Sequence, residues 1–156
     1  MSSPILDTAA NGKSKHYSVG ALIKRGGKFL LIDRMKTPFG FACVAGHVDQ
    51  GETPEQSLVR EVEEESGLKV KNYKLLLEEE LDWDTCSKGI EVHYWRVYEC
   101  DTEGEVMQNK IETKSIGWYT LEEMGKLNLQ NVWEYFFKKL NIIPHENNRE
   151  WQHGLR

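Results

Sequence analysis

The sequence predicts a single α/β domain. Three observations carry that reading: two alternating apolar–polar stretches separated by Gly26-Gly27, a doubly capped helix over residues 53–67, and a broad apolar stripe at helical spacing near residues 132–140. The chain has 156 residues, enough for one domain with one core. The reading divides it into a flexible N-terminal segment over residues 1–15, a domain over residues 16–142 and a polar tail over residues 143–156 that carries Trp151.

The elements follow in order. Residues 16–24 alternate Tyr17, Val19, Ala21 and Ile23 and read as a strand, Gly26-Gly27 as a hairpin turn, and residues 28–34 as the returning strand. Residues 39–45 form a short strand. Thr53-Pro54-Glu55-Gln56 is a capping box with proline at the first helical position, and Gly67 suits the left-handed residue that ends a helix. Leu58 and Val62, with Val59 beside them, give that helix an apolar face for the core. Residues 70–81 and 90–99 read as strands joined by a polar turn over residues 84–89, residues 101–110 as a loop, and residues 115–119 as a short strand. Thr120-Leu121-Glu122-Glu123 repeats the capping-box pattern. Val132, Trp133, Phe136, Phe137 and Leu140 mark the core face of a last helix.

Composition narrows the function classes. Apolar residues make up 39% and charged residues 29%, the balance of a soluble globular domain. The net charge of −5 comes with no basic stripe, which argues against a nucleic-acid track but leaves a phosphate ligand open, since a metal held by carboxylates inverts the local sign. No apolar run is long enough to span a bilayer, and the N-terminus lacks the pattern of a signal peptide. The cysteines, Cys43, Cys86 and Cys100, are odd in number and form no CxxC pair. They predict neither a disulfide framework nor a zinc site, and fit a reducing cytoplasm.

The informative stretch is residues 46–68, GHVDQGETPEQSLVREVEEESGL. Glu61, Glu64 and Glu65 stand at i, i+3 and i+4 of one helix and share a face. Three neighbouring anions need a cation, for which a hard divalent metal and Arg60 are the candidates. An acidic, solvated surface helix is the competing reading, but lysines at i+4 are missing. The helical wheel places Glu65 nearest the protein body and Glu64 outward.

This stretch resembles a complete Nudix box, G-x5-E-x7-R-E-U-x-E-E-x-G-U with U bulky and aliphatic. Gly46, Glu52, Arg60, Glu61, Val62, Glu64, Glu65, Gly67 and Leu68 fill every fixed position. The resemblance implies the Nudix fold, a mixed β-sheet between α-helices. It also implies a Mg²⁺-dependent pyrophosphohydrolase, with Mn²⁺ as a substitute ion, that cleaves a nucleoside diphosphate linked to another group. Family members act by water attack on phosphorus, a reaction that rests on charge neutralisation and positioning. By the same resemblance Gly46 (through its carbonyl), Glu61, Glu64 and Glu65 would hold the metal, with Glu61 as ligand or base. Arg60 would orient the glutamates, since its fork matches carboxylates.

Other positions stay open. Glu52 reads as structural or as a secondary ligand. Glu112, in a later loop, reads as a general base or extra ligand by family analogy, or as an ordinary solvated acid. Glu78-Glu79-Glu80 reads as a strand end facing water, His47 as a surface or substrate-edge residue, Trp95 as core, Trp83 as the better stacking candidate, and Cys43 as a small buried residue. The resemblance also admits a Nudix-fold binding module without catalysis and an isopentenyl-diphosphate isomerase-like enzyme using Cys43. Subfamily motifs outside the box are not seen, which tilts the expected substrate toward nucleoside triphosphates, modified ones included. The expected partner is thus a small diphosphate-containing molecule, a nucleotide, in a protein that relatives suggest can pair as a homodimer.

Overall fold

The computed structural model describes residues 3–144; the tail with Trp151 lies outside the described residues. The elements run β1 Asp7–Thr8, β2 Ser14–Arg25, β3 Lys28–Arg34, β4 Phe41–Ala42, β5 Val44–His47, α1 Pro54–Ser66, β6 Lys69–Leu81, β7 Val92–Glu103, β8 Thr113–Tyr119, α2 Leu121–Met124 and α3 Asn131–Lys139.

The long strand β2 organises the sheet. It pairs parallel with β7 from Lys15↔Val92 to Ile23↔Cys100, and antiparallel with β5 over Ser18↔His47 to Ala21↔Val44. Its last residues turn through Gly26 and Gly27, both at positive φ, into β3, which pairs with β4 and β8. β6 closes the other edge against β7. The sheet is therefore mixed, as the fold reading requires.

Strand alternation sends the side chains of neighbouring residues to opposite faces. Val19 and Gly46 are register partners, and a Cβ on Gly46 would point into α1; Gly20 and Ala45 are the next pair, and a Cβ on Gly20 would meet the Trp133 ring of α3. The two helices thus cover opposite faces of β2 and β5. On α3, Val132, Trp133, Phe136 and Phe137 are fully buried, each large side chain worth about 1.5–3 kcal/mol in area removed from water. Among the described residues no helix is long and apolar enough to cross a membrane.

Within its described part, the segment over residues 1–15 makes backbone contacts: β1 pairs with β2, the Ile5 N–H donates to the Val48 carbonyl at 2.9 Å, and the Gln50 N–H donates to the Ser3 carbonyl at 2.8 Å. These are backbone attachments, which residue patterns do not advertise. Val59, expected beside the core face of α1, is 42% exposed; Ser57 and Ser66 are buried with Leu58 and Val62 instead. The helix packs so closely on the sheet that hydroxymethyl groups fit there.

Candidate active site

The site begins with how α1 is anchored. The Thr53 hydroxyl accepts from the Gln56 N–H, the Gln56 carboxamide accepts from the Thr53 N–H, and Gly67 ends the helix at φ 77°. This fixes where each turn of acids faces. Glu52, just before the cap, accepts from the Asp49 N–H at 3.0 Å, from the Ser57 hydroxyl at 2.6 Å, and from Arg60 Nε and Nη2 at 2.7 and 3.0 Å. Arg60 above all, then Ser57 and the Asp49 amide, hold its carboxyl down to about 2. Both oxygens of Glu52 are thus engaged by protein donors.

Arg60 is the hub. Its Nη1 donates to Glu61 at 2.8 Å and Glu64 at 3.1 Å, its Nη2 donates to the His47 carbonyl at 3.1 Å, and Asp49 lies 3.4 Å away. Its guanidinium is raised further by Glu52 and stays charged throughout. The fork therefore ties α1 to β5 and sets the rotamers of two box acids.

Glu64 is the outward acid, its side chain 57% exposed. Glu65 turns inward and accepts from the Ala45 N–H at 3.3 Å. Burial pushes its carboxyl up to about 8, and the charge of Glu61 adds to the rise. Burial pushes Glu61 up to about 7 despite Arg60. The Glu61 carboxylate lies against the Cα of Gly46 so closely that a Cβ there would overlap it.

Glu112 sits on a loop tied to this end of α1: Asn109 Nδ2 donates to the Glu64 carbonyl at 3.3 Å, and the Met35 N–H donates to the Glu112 carbonyl at 3.2 Å. Glu112 is exposed, and its charge contributes to the raised value of Glu65. Ala45, Asp49 and Arg34, whose charge also reaches Glu65, are site residues that the sequence reading did not single out.

The remaining candidates lie elsewhere. Glu78, Glu79 and Glu80 are spent on Arg96 and Tyr94, on Lys139 and Tyr135, and on Lys15. Trp83 is exposed, edge-on to Tyr135. Trp95 is buried, and its Nε1 donates to Asp84 at 3.3 Å. Cys43 is 1% exposed, and burial pushes its thiol well above the ordinary range, so it offers no reactive thiolate and the isomerase-like reading loses its cysteine.

On the opposite face of the sheet, Cys86 joins three histidines in a group with the donor set to hold a metal ion, which the spacing of the cysteines does not announce. His16 and His93 are register partners on β2 and β7, His47 ends β5, and Cys86 comes from the β6–β7 connection. One ligand atom from each lies within 4.8 Å of every other. Burial lowers His47 to about 3 and His93 to about 4, so these rings are neutral imidazoles at neutral pH. No spacing motif announces this cluster, because its members come from four separate segments; only the strand register brings them together.

The NUDIX domain family matches residues 14–140. The NAD-capped RNA hydrolase NudC of Erwinia tasmaniensis is 31% identical over 106 residues, covering 67% of this chain and 38% of its own. The chain thus spans less than half the length of that relative. The ADP-ribose pyrophosphatase of Methanocaldococcus jannaschii is 44% identical over 61 residues, covering 38% of this chain and 36% of its own. A crystal structure of a MutT NUDIX hydrolase from Burkholderia pseudomallei superposes with a TM-score of 0.70 at 26% identity, covering 83% of this chain and 98% of that one.

Proposed function

The chain belongs to the NUDIX domain family, and on that premise we propose that it is a divalent-metal-dependent pyrophosphohydrolase acting on a nucleoside diphosphate linked to a second group. The observation that carries this reading is the arrangement of the box acids: Glu61 and Glu64 share Arg60 Nη1, while Glu65 is half-buried beside them.

The donors suit Mg²⁺. Glu61, Glu64, Glu65 and the Gly46 carbonyl are all hard oxygens, and the raised values of Glu61 and Glu65 mark buried carboxylates that lack enough positive charge. Those four residues would hold the ion, with Mn²⁺ as a substitute. When bound, the ion supplies charge neutralisation for the diphosphate and a lowered pKa for water.

The chain's own residues do the rest. Arg60 positions Glu61 and Glu64 and fastens the helix to β5. Glu112, on the loop tethered to α1, is proposed as the base that takes the proton of the attacking water.

For substrate, nucleoside triphosphates, including modified ones, come first from the sequence reading. The names of the relatives extend the range to ADP-ribose and NAD-type groups, in which a diphosphate also joins a nucleoside to a second moiety. The test is hydrolysis across these three classes in ¹⁸O-labelled water with Mg²⁺ or EDTA. Metal-dependent release with label on one phosphate is expected and identifies the phosphorus attacked. A protein that binds these ligands with Mg²⁺ but leaves all of them intact is a binding module, and the proposal is wrong.

A further inference from the structure

We propose that His16, His47, Cys86 and His93 form a binding site for one zinc-class transition-metal ion, on the face of the sheet opposite the acid-bearing helix. The site is built in three respects.

The donors already converge. Zn²⁺ takes nitrogen at about 2.0–2.1 Å and thiolate sulfur at about 2.3 Å, so a tetrahedral site holds its ligand atoms roughly 3.3–3.6 Å apart. The four atoms here lie within 4.8 Å of one another, and Cys86 Sγ is 4.0 Å from His16 Nδ1. A contraction of about 1 Å completes the tetrahedron.

His93 also lacks the partner that a buried polar ring requires. It is 2% exposed, yet neither of its ring nitrogens makes a hydrogen bond. The Asp84 backbone carbonyl is near enough to favour the protonated ring but is not aligned to accept. A buried polar group left so costs about 1–3 kcal/mol, which ligation would remove.

The size and charge of the cleft suit an ion. The space against His47, Cys86 and His93, which also extends to Arg34, Gly46 and Trp133, is about 100 Å³, below the ~300–1,000 Å³ usual for organic ligands. Three imidazoles and a thiolate select a borderline-soft ion over Mg²⁺. Lys88 and Arg34 oppose a cation near His47, while the Cys86 thiolate and the buried Asp84 carboxylate offset them. Four protein ligands close the coordination shell, so the ion's role is structural: it pins the connection over residues 82–91 to β2, β5 and β7.

Metal-stripped protein titrated with Co²⁺ and Zn²⁺ tests the proposal, with Cys86→Ser and Glu64→Gln as variants. Cys86 is half-buried on a connection, so its replacement leaves the core intact. The expected result is one tetrahedral Co²⁺ per chain, read from intense d–d bands and a thiolate charge-transfer band that are unchanged in Glu64→Gln, any Co²⁺ on the box acids being octahedral and weakly absorbing. In Cys86→Ser the charge-transfer band disappears and Zn²⁺ affinity falls by at least about tenfold. Zn²⁺ should raise the Tm of the wild type and do so less in Cys86→Ser. Absence of Co²⁺ binding, an octahedral spectrum without the thiolate band, or equal Zn²⁺ affinity in the two proteins would overturn the proposal.

Discussion

The Glu61 carboxylate occupies the space where residue 46 would carry its Cβ. Gly46 has an ordinary φ, so its requirement is room and not backbone freedom. Gly46→Ala should therefore fold, because the barrier is a side chain that can swing away. The displaced Glu61 would leave Arg60 Nη1 and the proposed metal position together. Turnover at fixed Mg²⁺ should fall by about 10–100-fold with a Tm change of only a few degrees. Unaltered kinetics would show that Glu61 does not have to stay where it lies.

Arg60 should be the residue whose loss costs most stability within the box. It satisfies Glu52, Glu61, Glu64 and the His47 carbonyl at once. Arg60→Lys keeps the charge but loses the fork, leaving Glu52 or Glu61 partly desolvated without its donor. A loss of about 2 kcal/mol in urea denaturation is expected. A loss below about 0.5 kcal/mol would mean that the network is ornamental.

Gly67→Val should damage folding more than chemistry. Gly67 has φ 77°, and a Cβ there would sit 3.1 Å from the Met107 Cβ. A β-branched residue resists this conformation, at a cost of about 1–3 kcal/mol. An unchanged Tm with normal activity would contradict the assignment.

The helix with its box was legible because its signals are local. The cap at Thr53, the proline after it and the terminating Gly67 follow one another along the chain, as does the Gly26-Gly27 hairpin. The inward Glu65 and outward Glu64 followed from the helical wheel. What escaped was set by register and tertiary packing. His16 faces His93 because β2 and β7 pair in parallel, a choice that no single segment encodes. Asp84 read as part of a polar turn, yet it is buried against Trp95. Residues 3–8 lack alternation and are held by backbone groups.

The metal-free protein should lose stability as pH rises. Glu61 and Glu65 start from 4.5 in the unfolded chain and reach about 7 and about 8 when folded. The native state therefore binds more protons between those values, and stability falls as pH climbs through that window. The imidazoles act on the other side: lowered from 6.5, they withdraw stability as pH drops below that value. In EDTA, Tm should pass through a maximum near neutrality or just below. Glu65→Gln should flatten its alkaline side, and a profile that keeps the same alkaline fall in that variant would refute the attribution to Glu65.

Glu64→Gln should separate fold from function most cleanly. The side chain is 57% exposed, and its polar contact on the site side is Arg60 Nη1 at 3.1 Å, which a glutamine carbonyl can also accept. Exposed ion pairs contribute little, so stability should stay within about 0.5 kcal/mol of the parent. A neutral oxygen, however, is a poor partner for a divalent ion and cannot offset its charge. Turnover should fall at least about 100-fold and remain low when Mg²⁺ is raised tenfold. Rescue by Mg²⁺ alone would reduce Glu64 to a residue that tunes metal affinity, whereas full activity at ordinary Mg²⁺ would remove it from the metal site and leave Glu61 and Glu65 to account for the chemistry.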